Sequence, residues 1–179
     1  MDSKAKLKRE LILKSATDFV LNNDFNDLTL DSIAKQAGIS KGGLLYHFPN
    51  KEALYQGLAE YIFNDFIRRF DDYAKKDSMK KGKWNRALIH ASIWDIENHG
   101  VLNIGNFSAS LLNPELAKNI SNQYQYIQNR IVQDEISPVT ATIIRLTLDG
   151  LYYSKLFNIA PIDKSLSRQV SNHLLAMTK

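Results

Sequence analysis

The sequence contains no cysteine and no long apolar run, and both absences exclude classes of protein. Without cysteine the chain forms no disulfide and has no thiolate to bind a metal, which suits a reducing cytosol. No apolar run approaches the roughly 18 residues that indicate a membrane-spanning helix, and the charged N-terminus lacks the apolar segment of a signal peptide. We therefore expect a cytoplasmic protein with no membrane partner.

Proline, glycine and alternating β-branched runs are also scarce, with four prolines and eight glycines among 179 residues. Because strands and hairpins depend on such patterns, their scarcity predicts an all-α fold. Hydrophobic residues make up 44% of the chain, which is enough for a sizeable core. The net charge of +4 is compatible with a nucleic-acid partner but is too small to argue for one alone.

Motifs of catalysis are missing as well. The four histidines, His47, His90, His99 and His173, include no pair spaced four residues apart with a glutamate between them, as zinc proteases have. The sequence has neither a phosphate-binding glycine loop nor the strained serine turn of the α/β-hydrolases. These absences argue against an enzyme, so we predict no catalytic residue, no metal site and no cofactor.

The sequence does contain the stretch TLDSIAKQAGISKGGLLYHF, which starts at Thr29 and predicts two helices joined by a tight turn. Thr29 and Ser40 precede the two helices and can cap them, because a side-chain oxygen there accepts a hydrogen bond from a free backbone amide. Gly38 tolerates the positive φ of a helix C-terminus. Ala34 is small enough for the helix crossing, and Leu44 faces inward. This spacing is that of a helix-turn-helix, whose second helix enters the DNA major groove.

Helix pairs of this kind also occur without any nucleic acid, so the spacing alone leaves that alternative open. The adjacent Gly42 and Gly43 favour DNA, because each glycine costs a helix about 0.8–1 kcal/mol relative to alanine. A helix kept only for packing would be more stable without them. A helix pressed against a phosphate backbone benefits from their lack of side chains.

At IAKQAGISKG, LLYHF and NKEAL the sequence resembles the TetR family of one-component transcriptional regulators, closely so over about residues 7–61. The resemblance implies a homodimer with a three-helix DNA-binding head at 1–50. It also implies a long fourth helix at 51–74, which joins the head to a helical effector and dimerisation domain at 75–179, with about nine helices in all. The family often has an aromatic residue where this sequence has Leu45, which can touch a thymine methyl group.

Lys51 lies in the first turn of the fourth helix, where a cation opposes the helix dipole. Either this placement costs a few tenths of a kcal/mol and has no function, or Lys51 and the free amides of that turn hold a DNA phosphate. The basic run from Lys4 to Arg9 is either a solvated helix start or an arm near the DNA backbone. From the motif we expect DNA contacts, mostly to phosphates, at nine residues: Thr29, Ser40, Lys41, Gly42, Gly43, Leu45, Tyr46, His47 and Lys51.

The spacing of apolar residues predicts further helices at about 84–98, 102–112, 114–133 and 164–177, and another that starts at Ser137-Pro138. The helix that starts at Ser137-Pro138 is apolar around most of its circumference, which is more than one core needs. With the last helix it should form an isologous four-helix dimer interface. The expected contacts are Gly150, Leu151, Tyr153, Ser154, Phe157, Leu174 and Met177. The alternative is that these side chains only close the core of the monomer.

The same domain is rich in aromatic residues, and small-molecule pockets are typically apolar with a few polar groups. We expect an effector site formed by His90, Trp94, Phe107, Tyr124 and Asp149, with the three aromatic residues as its walls. Asp149 is the only acid that the sequence places near the interior, so an apolar or weakly basic ligand is expected. An ordinary solid core with aromatic fillers is the alternative.

Together these features predict a repressor that binds a palindromic operator in double-stranded DNA as a homodimer and is released by a small-molecule effector. Its two recognition helices must reach successive major grooves, about 34–36 Å apart. An effector that shifts the fourth helix changes this spacing and weakens DNA binding, as a coupling of about 1–3 kcal/mol. The alternative is a helical adaptor that binds only protein and has no effector.

Overall fold

The computed structural model describes residues 3–23, 27–98 and 113–179, and these residues form helices and no strand. The all-α prediction is therefore confirmed. The predicted helix at 102–112 lies outside the described residues. The helices are α1 (Ser3–Asn22), α2 (Leu30–Gln36), α3 (Lys41–His47), α4 (Lys51–Lys76), α5 (Lys83–Asn98), α6 (Pro114–Val132), α7 (Pro138–Leu156) and α8 (Lys164–Ala176). Within the described ranges, no helix combines the length and the apolarity that crossing a membrane requires.

The chain divides into two compact units, and the division falls inside α4, between Ile62 and Phe63. The first unit holds the described residues up to Ile62 together with 113–116, and the second holds 63–98 and 117–179. The sequence had instead suggested a domain border in the polar run that follows α4. Because α4 is one unbroken helix, it contributes residues to both units.

The first unit is built around a core that α1, α2, α3 and the first turns of α4 share. Large side chains from all four helices are fully buried there, and burying one such side chain contributes about 1.5–3 kcal/mol relative to leaving it exposed. The largest are Ile12, Leu13, Leu28, Ile33, Leu44, Phe48 and Leu54. Leu44 and Phe48 attach α3 to this core, so the orientation of α3 is set by packing.

The turn between α2 and α3 has the capping geometry that the sequence predicted. Thr29 Oγ1 accepts from the Ser32 amide at 3.0 Å, and Ser32 Oγ accepts from the Thr29 amide at 2.9 Å, which completes a capping box. Gly38 has φ +65°, a conformation that L side chains rarely adopt. Ser40 Oγ accepts from the Gly43 amide at 3.1 Å. These local bonds fix both helix starts and the turn angle.

The second unit has a separate core to which α4, α5, α6, α7 and α8 contribute, including Phe70, Leu88, Ile89, Ile127, Ile131, Ile144, Leu148 and Leu174. The loop before α5, which the sequence suggested as a hinge, is tied down by one buried guanidinium. Arg86 donates to the Asp77 carboxylate at 2.6 Å and to the carbonyl oxygens of Met79 and Lys81 at 2.9 Å. The hydrogen bond from Arg86 holds the pKa of Asp77 below its usual value.

Two helical glycines give a matched test of this packing. A Cβ added at Gly57 in α4 would lie 2.6 Å from Cε1 of the buried Phe48 ring, whereas one added at Gly42 in α3 would meet nothing within 4 Å. Gly57→Ala should therefore destabilise the chain by about 1–3 kcal/mol. Gly42→Ala should stabilise it by up to about 1 kcal/mol. Urea unfolding midpoints measure both changes, and a higher midpoint for Gly57→Ala would contradict the position of Phe48.

Candidate functional site

Helix α3 buries one face and exposes the other. Leu44 is fully buried, and residues two positions away on a helix point about 200° around its axis. Gly42 and Tyr46 therefore lie on the side opposite the core, and Tyr46 is 79% exposed. Gly43 and Leu45 flank this outer side and are half-buried. The result is a short, shallow helix face from which a single large side chain projects.

Lys41, at the start of α3, forms an ion pair with Asp31 of α2. Its ammonium nitrogen lies 2.8 Å from the carboxylate, and both side chains are more than half exposed. An exposed pair of this kind contributes about 0–1 kcal/mol. A phosphate can therefore compete with Asp31 for Lys41.

His47, at the end of α3, is half-buried, and its ring packs edge-on against Tyr46 with centroids 5.0 Å apart. Burial lowers the pKa of His47, and the positive charges of Lys8 and Arg9 lower it further. The imidazole is therefore neutral at physiological pH, and it offers a hydrogen bond rather than a charge. The sequence had indicated only that the basic run of α1 could be an arm near the DNA backbone. The structure shows that the charges of Lys8 and Arg9 in this run also act on His47.

The start of α4 continues this surface. Asn50 Oδ1 accepts from the Ala53 amide at 2.7 Å, so Asn50 caps α4. Lys51 follows in the first turn, with its ammonium nitrogen 5.3 Å from the centre of the Tyr55 ring. The positive end of the helix dipole and the ammonium group together favour an anion at this position. Among the described residues, no group of three His, Cys, Asp or Glu side chains is placed to hold a metal ion.

Four of the residues predicted to bind an effector, His90, Trp94, Tyr124 and Asp149, belong to the second unit. Phe107 lies outside the described residues. His90, which was expected to contribute a polar group to the effector site, is exposed, with its ring centre 5.5 Å from that of Tyr73. The Trp94 ring lies under the Arg69 guanidinium, 3.3 Å from ring centre to carbon. Tyr124 packs against Phe63 at 5.4 Å between ring centres.

Two acids that are largely shielded from water, the half-buried Asp149 and the buried Asp95, lie on different helices of this unit. Asp149 on α7 accepts a hydrogen bond from Arg145 at 2.8 Å, and burial raises the pKa of Asp149. Asp95 on α5 is only 5% exposed and interacts with the Tyr152 hydroxyl. Burial, followed by the charge of Asp95, raises the pKa of Tyr152. The expectation that Asp149 is the only interior acid is therefore wrong, because Asp95 reaches the same interior from another helix.

An apolar stripe runs along the exposed side of α7. The α7 stripe consists of residues spaced three or four apart, namely Val139, Ile143, Leu146, Gly150, Tyr153 and Phe157. Leu146 is 56% exposed, and a Cβ added at Gly150 would meet nothing within 4 Å. The sequence had singled out only the second half of this stripe. The first half of the stripe has the same helical spacing, but it can be recognised only after the structure shows which face of α7 packs in the core.

The other predicted dimer contacts take different positions. Leu174 is 3% exposed and packs in the core of the second unit, so its prediction as an interface residue is wrong. Met177 also packs against that core, and Leu151 is half-buried. Ser154 donates from its hydroxyl to the Ile159 carbonyl at 2.8 Å, which closes the end of α7. The spacing of apolar residues along a helix predicts which positions are buried. It does not show whether they are buried against the same chain or against a second copy of it.

Comparison with known proteins identifies the family. Residues 12–58 match the family described as bacterial regulatory proteins, tetR family, and residues 82–179 match the family described as tetracyclin repressor-like, C-terminal domain. The solved structure of a member of the TetR family from Streptomyces coelicolor A3 superposes with a TM-score of 0.64. That superposition covers 93% of this chain and 97% of the other at 19% identity, so it shows a shared fold.

Two curated relatives extend the comparison. The nucleoid occlusion factor SlmA of Shewanella baltica is 30% identical over 131 residues, which are 70% of this chain and 64% of that protein. The HTH-type transcriptional regulator RutR of Escherichia coli is 42% identical over 60 residues, which are 34% of this chain and 28% of that protein. The predicted resemblance is therefore confirmed. With its helix-turn-helix, the chain belongs to the TetR family of DNA-binding transcriptional regulators.

Proposed function

We propose that this regulator is a repressor that binds a palindromic operator as a homodimer and leaves the operator when a small molecule binds its second unit. The outer face of α3 carries the DNA part of this proposal. Nothing within 4 Å inside the chain requires glycine at Gly42, although glycine weakens a helix. The benefit of a bare backbone at this position must come from a partner that approaches closely.

The proposed DNA contacts are mainly to phosphates. Lys41, Tyr46, His47 and Lys51 would bind phosphate oxygens, while Gly42 and Gly43 let the backbone approach. Thr29 and Ser40 use a hydroxyl oxygen as acceptor for their caps. The Ser40 O–H can still donate to a phosphate, since one hydroxyl both accepts and donates. The Thr29 O–H donates to Ser32 Oγ at 3.1 Å and would have to turn from it towards a phosphate. Contacts of this kind fix the position of the head on DNA, and they do not by themselves read its sequence.

The α7 stripe supports the homodimer. Monomeric proteins rarely expose contiguous apolar patches larger than a few hundred Å², and the stripe places five large side chains and one glycine on the same face. In an isologous pair the same face meets its own copy. Gly150 at the centre would let two α7 helices cross closely, with Tyr153 and Phe157 packing on one side of the crossing.

The effector part of the proposal rests on the largely shielded acids and aromatic rings of the second unit. Removing an acid from water is costly unless a cation or hydrogen bonds compensate it. Asp149 has Arg145 and Asp95 has the Tyr152 hydroxyl for this, and a weakly basic ligand would add a further cation beside them. Trp94 and Tyr124 would provide apolar walls beside these acids. An apolar or weakly basic ligand that binds there would shift α4, which passes from this unit into the DNA-binding unit.

A second candidate function is nucleoid occlusion, the role named for the Shewanella relatives. It is favoured by an alignment that covers 70% of this chain and so extends well beyond the helix-turn-helix. Mapping the bound sites on the chromosome of the source cell distinguishes the two functions. A repressor should occupy a few promoters, whereas an occlusion factor should occupy many sites that bear no relation to promoters.

The phosphate-binding role of Lys51 predicts the effect of removing its charge. Lys51→Ala should weaken binding to all DNA sequences and reduce the slope of log affinity against log salt by about one. Lys76→Ala, at the opposite end of the same helix, is the matched control and should change neither quantity. Gly43→Glu should abolish binding, because it adds a negative charge beside the phosphates. Unchanged operator affinity in both Lys51→Ala and Gly43→Glu would show that the proposed orientation on DNA is wrong.

The interface along the α7 stripe predicts a variant that separates the dimer. Leu146→Glu places a charge on the exposed stripe and should shift the chain from dimer to a 20.4 kDa monomer in sedimentation at micromolar concentration. Gln125→Glu on the exposed side of α6 adds the same charge outside the stripe and should leave the dimer intact. A parent chain that sediments as a monomer would contradict both the dimer and the paired-groove mechanism.

The effector site predicts a change in tryptophan fluorescence. Lipophilic amines and neutral compounds are titrated while Trp94 emission is followed, in a Trp84→Phe background that leaves Trp94 as the only tryptophan. A true effector should change the emission and release DNA at the same concentrations. Asp149→Asn should weaken amines about tenfold or more and neutral compounds little, as expected when one charge-assisted hydrogen bond is lost. If no compound both changes the Trp94 emission and releases DNA, and the Trp94→Ala variant still regulates in cells, the second unit serves dimerisation alone.

A further inference from the structure

The outer face of α3 lacks the side chains with which proteins usually read base pairs. Arginine and lysine recognise guanine in a bidentate way, and asparagine and glutamine recognise adenine. The seven residues of α3, KGGLLYH, include only one of these four types, Lys41. Its ammonium group is held 2.8 Å from Asp31 on the neighbouring helix. We have already assigned Lys41 to a phosphate, so no purine reader remains on this helix.

Several polar side chains of the first unit already have partners within the chain. The amides of Asn22 and Asn23 donate to the backbone carbonyls of Asp18 and Phe19 at 2.7 and 2.8 Å. The Asn50 side chain caps α4. The Arg9 guanidinium lies over the Phe48 ring, 5.0 Å from its centre. Each of these groups would have to give up an existing contact before it could reach a base edge.

Apart from Lys41 and His47, the outer side of α3 presents mainly apolar surface, namely Leu45 and the ring of Tyr46, whose hydroxyl stays available for a phosphate. Tyr46 is 79% exposed and projects from the side opposite Leu44, and Leu45 is half-buried on the flank of the same side. Gly42 adds no side chain between them and the groove floor. The C5 methyl of thymine is the apolar group of the major groove, and it is contacted by apolar and aromatic side chains.

We propose that this protein reads thymine methyl groups with Tyr46 and Leu45, and otherwise recognises the shape of its operator, without hydrogen-bonded readout of purine edges. This inference rests on the proposed function, which places α3 in the major groove. The flat, glycine-bearing face supports close contact with the groove floor, where the methyl groups lie. Sequence preference at other positions then comes from how easily the DNA adopts the required shape.

Modified operators test this inference with the full-length chain. The operator is first selected from random duplex DNA, and its half-sites are then made with uracil for thymine or with 7-deazapurines for guanine and adenine. Uracil removes the C5 methyl, and each contacted methyl should be worth about fourfold in affinity, so that the two half-sites together lose about tenfold or more. The 7-deazapurines remove the N7 acceptor and should change affinity less than about twofold.

Protein variants assign the methyl contact to its residues. Tyr46→Ala should bind the thymine and uracil operators about equally, while Tyr46→Phe should keep the full difference. Leu45→Ala should reduce the difference in part. Gln36→Ala removes an exposed amide at the end of α2, the neighbouring side chain whose type could read adenine, and should leave both the uracil and the deazapurine effects unchanged. Circular-dichroism melting checks folding, and Tyr46 is exposed enough for its removal to leave the core intact.

The outcomes separate this inference from the function on which it rests. A chain that binds no duplex DNA overturns both. A chain that binds its selected operator, but loses about tenfold or more on 7-deazapurine substitution, keeps the proposed function and overturns the inference. The inference is also overturned if uracil has no effect, or if Tyr46→Ala keeps the full difference between thymine and uracil.

Discussion

The burial of Leu44 and Phe48 is the interaction on which the DNA-binding surface depends. Both side chains are buried in the core of the first unit, and together they attach a helix of only seven residues, two of them glycine. Such a helix is not stable alone, because short helices in water are marginal even with good helix formers. The core therefore decides both that α3 exists and which of its faces is exposed.

Because α3 is held by the packing of its inner side, it can carry Gly42 and Tyr46 on its outer side. Stability comes from the inner side and from the caps at Thr29 and Ser40, so the outer side is free to suit a partner. The same logic applies to α7, where Ile144 and Leu148 fill the core of the second unit and the α7 stripe remains outside. In both helices, the residues assigned to a partner lie on the side that faces away from the core.

Several parts of this structure could be read from the sequence because they are local. A capping oxygen needs only its own backbone a few residues away, so the predicted helix starts at Thr29 and Ser40 match the structure. The turn at Gly38 is local in the same sense, since it depends on the φ angle of one residue. The motif of the family lies in this local pattern, which is why the family could be named from it.

The sequence by itself determined the helical class, the helix-turn-helix and the family, because periodicity, caps and a turn glycine are short-range properties. Only the tertiary structure decided what each apolar or polar position faces. It placed Leu174 in the core, His90 on the surface and Asp95 in the interior. An α-helix completes a turn every 3.6 residues, so the spacing of residues defines which of them share a face. Which segment packs against that face depends on parts of the chain that are distant in sequence.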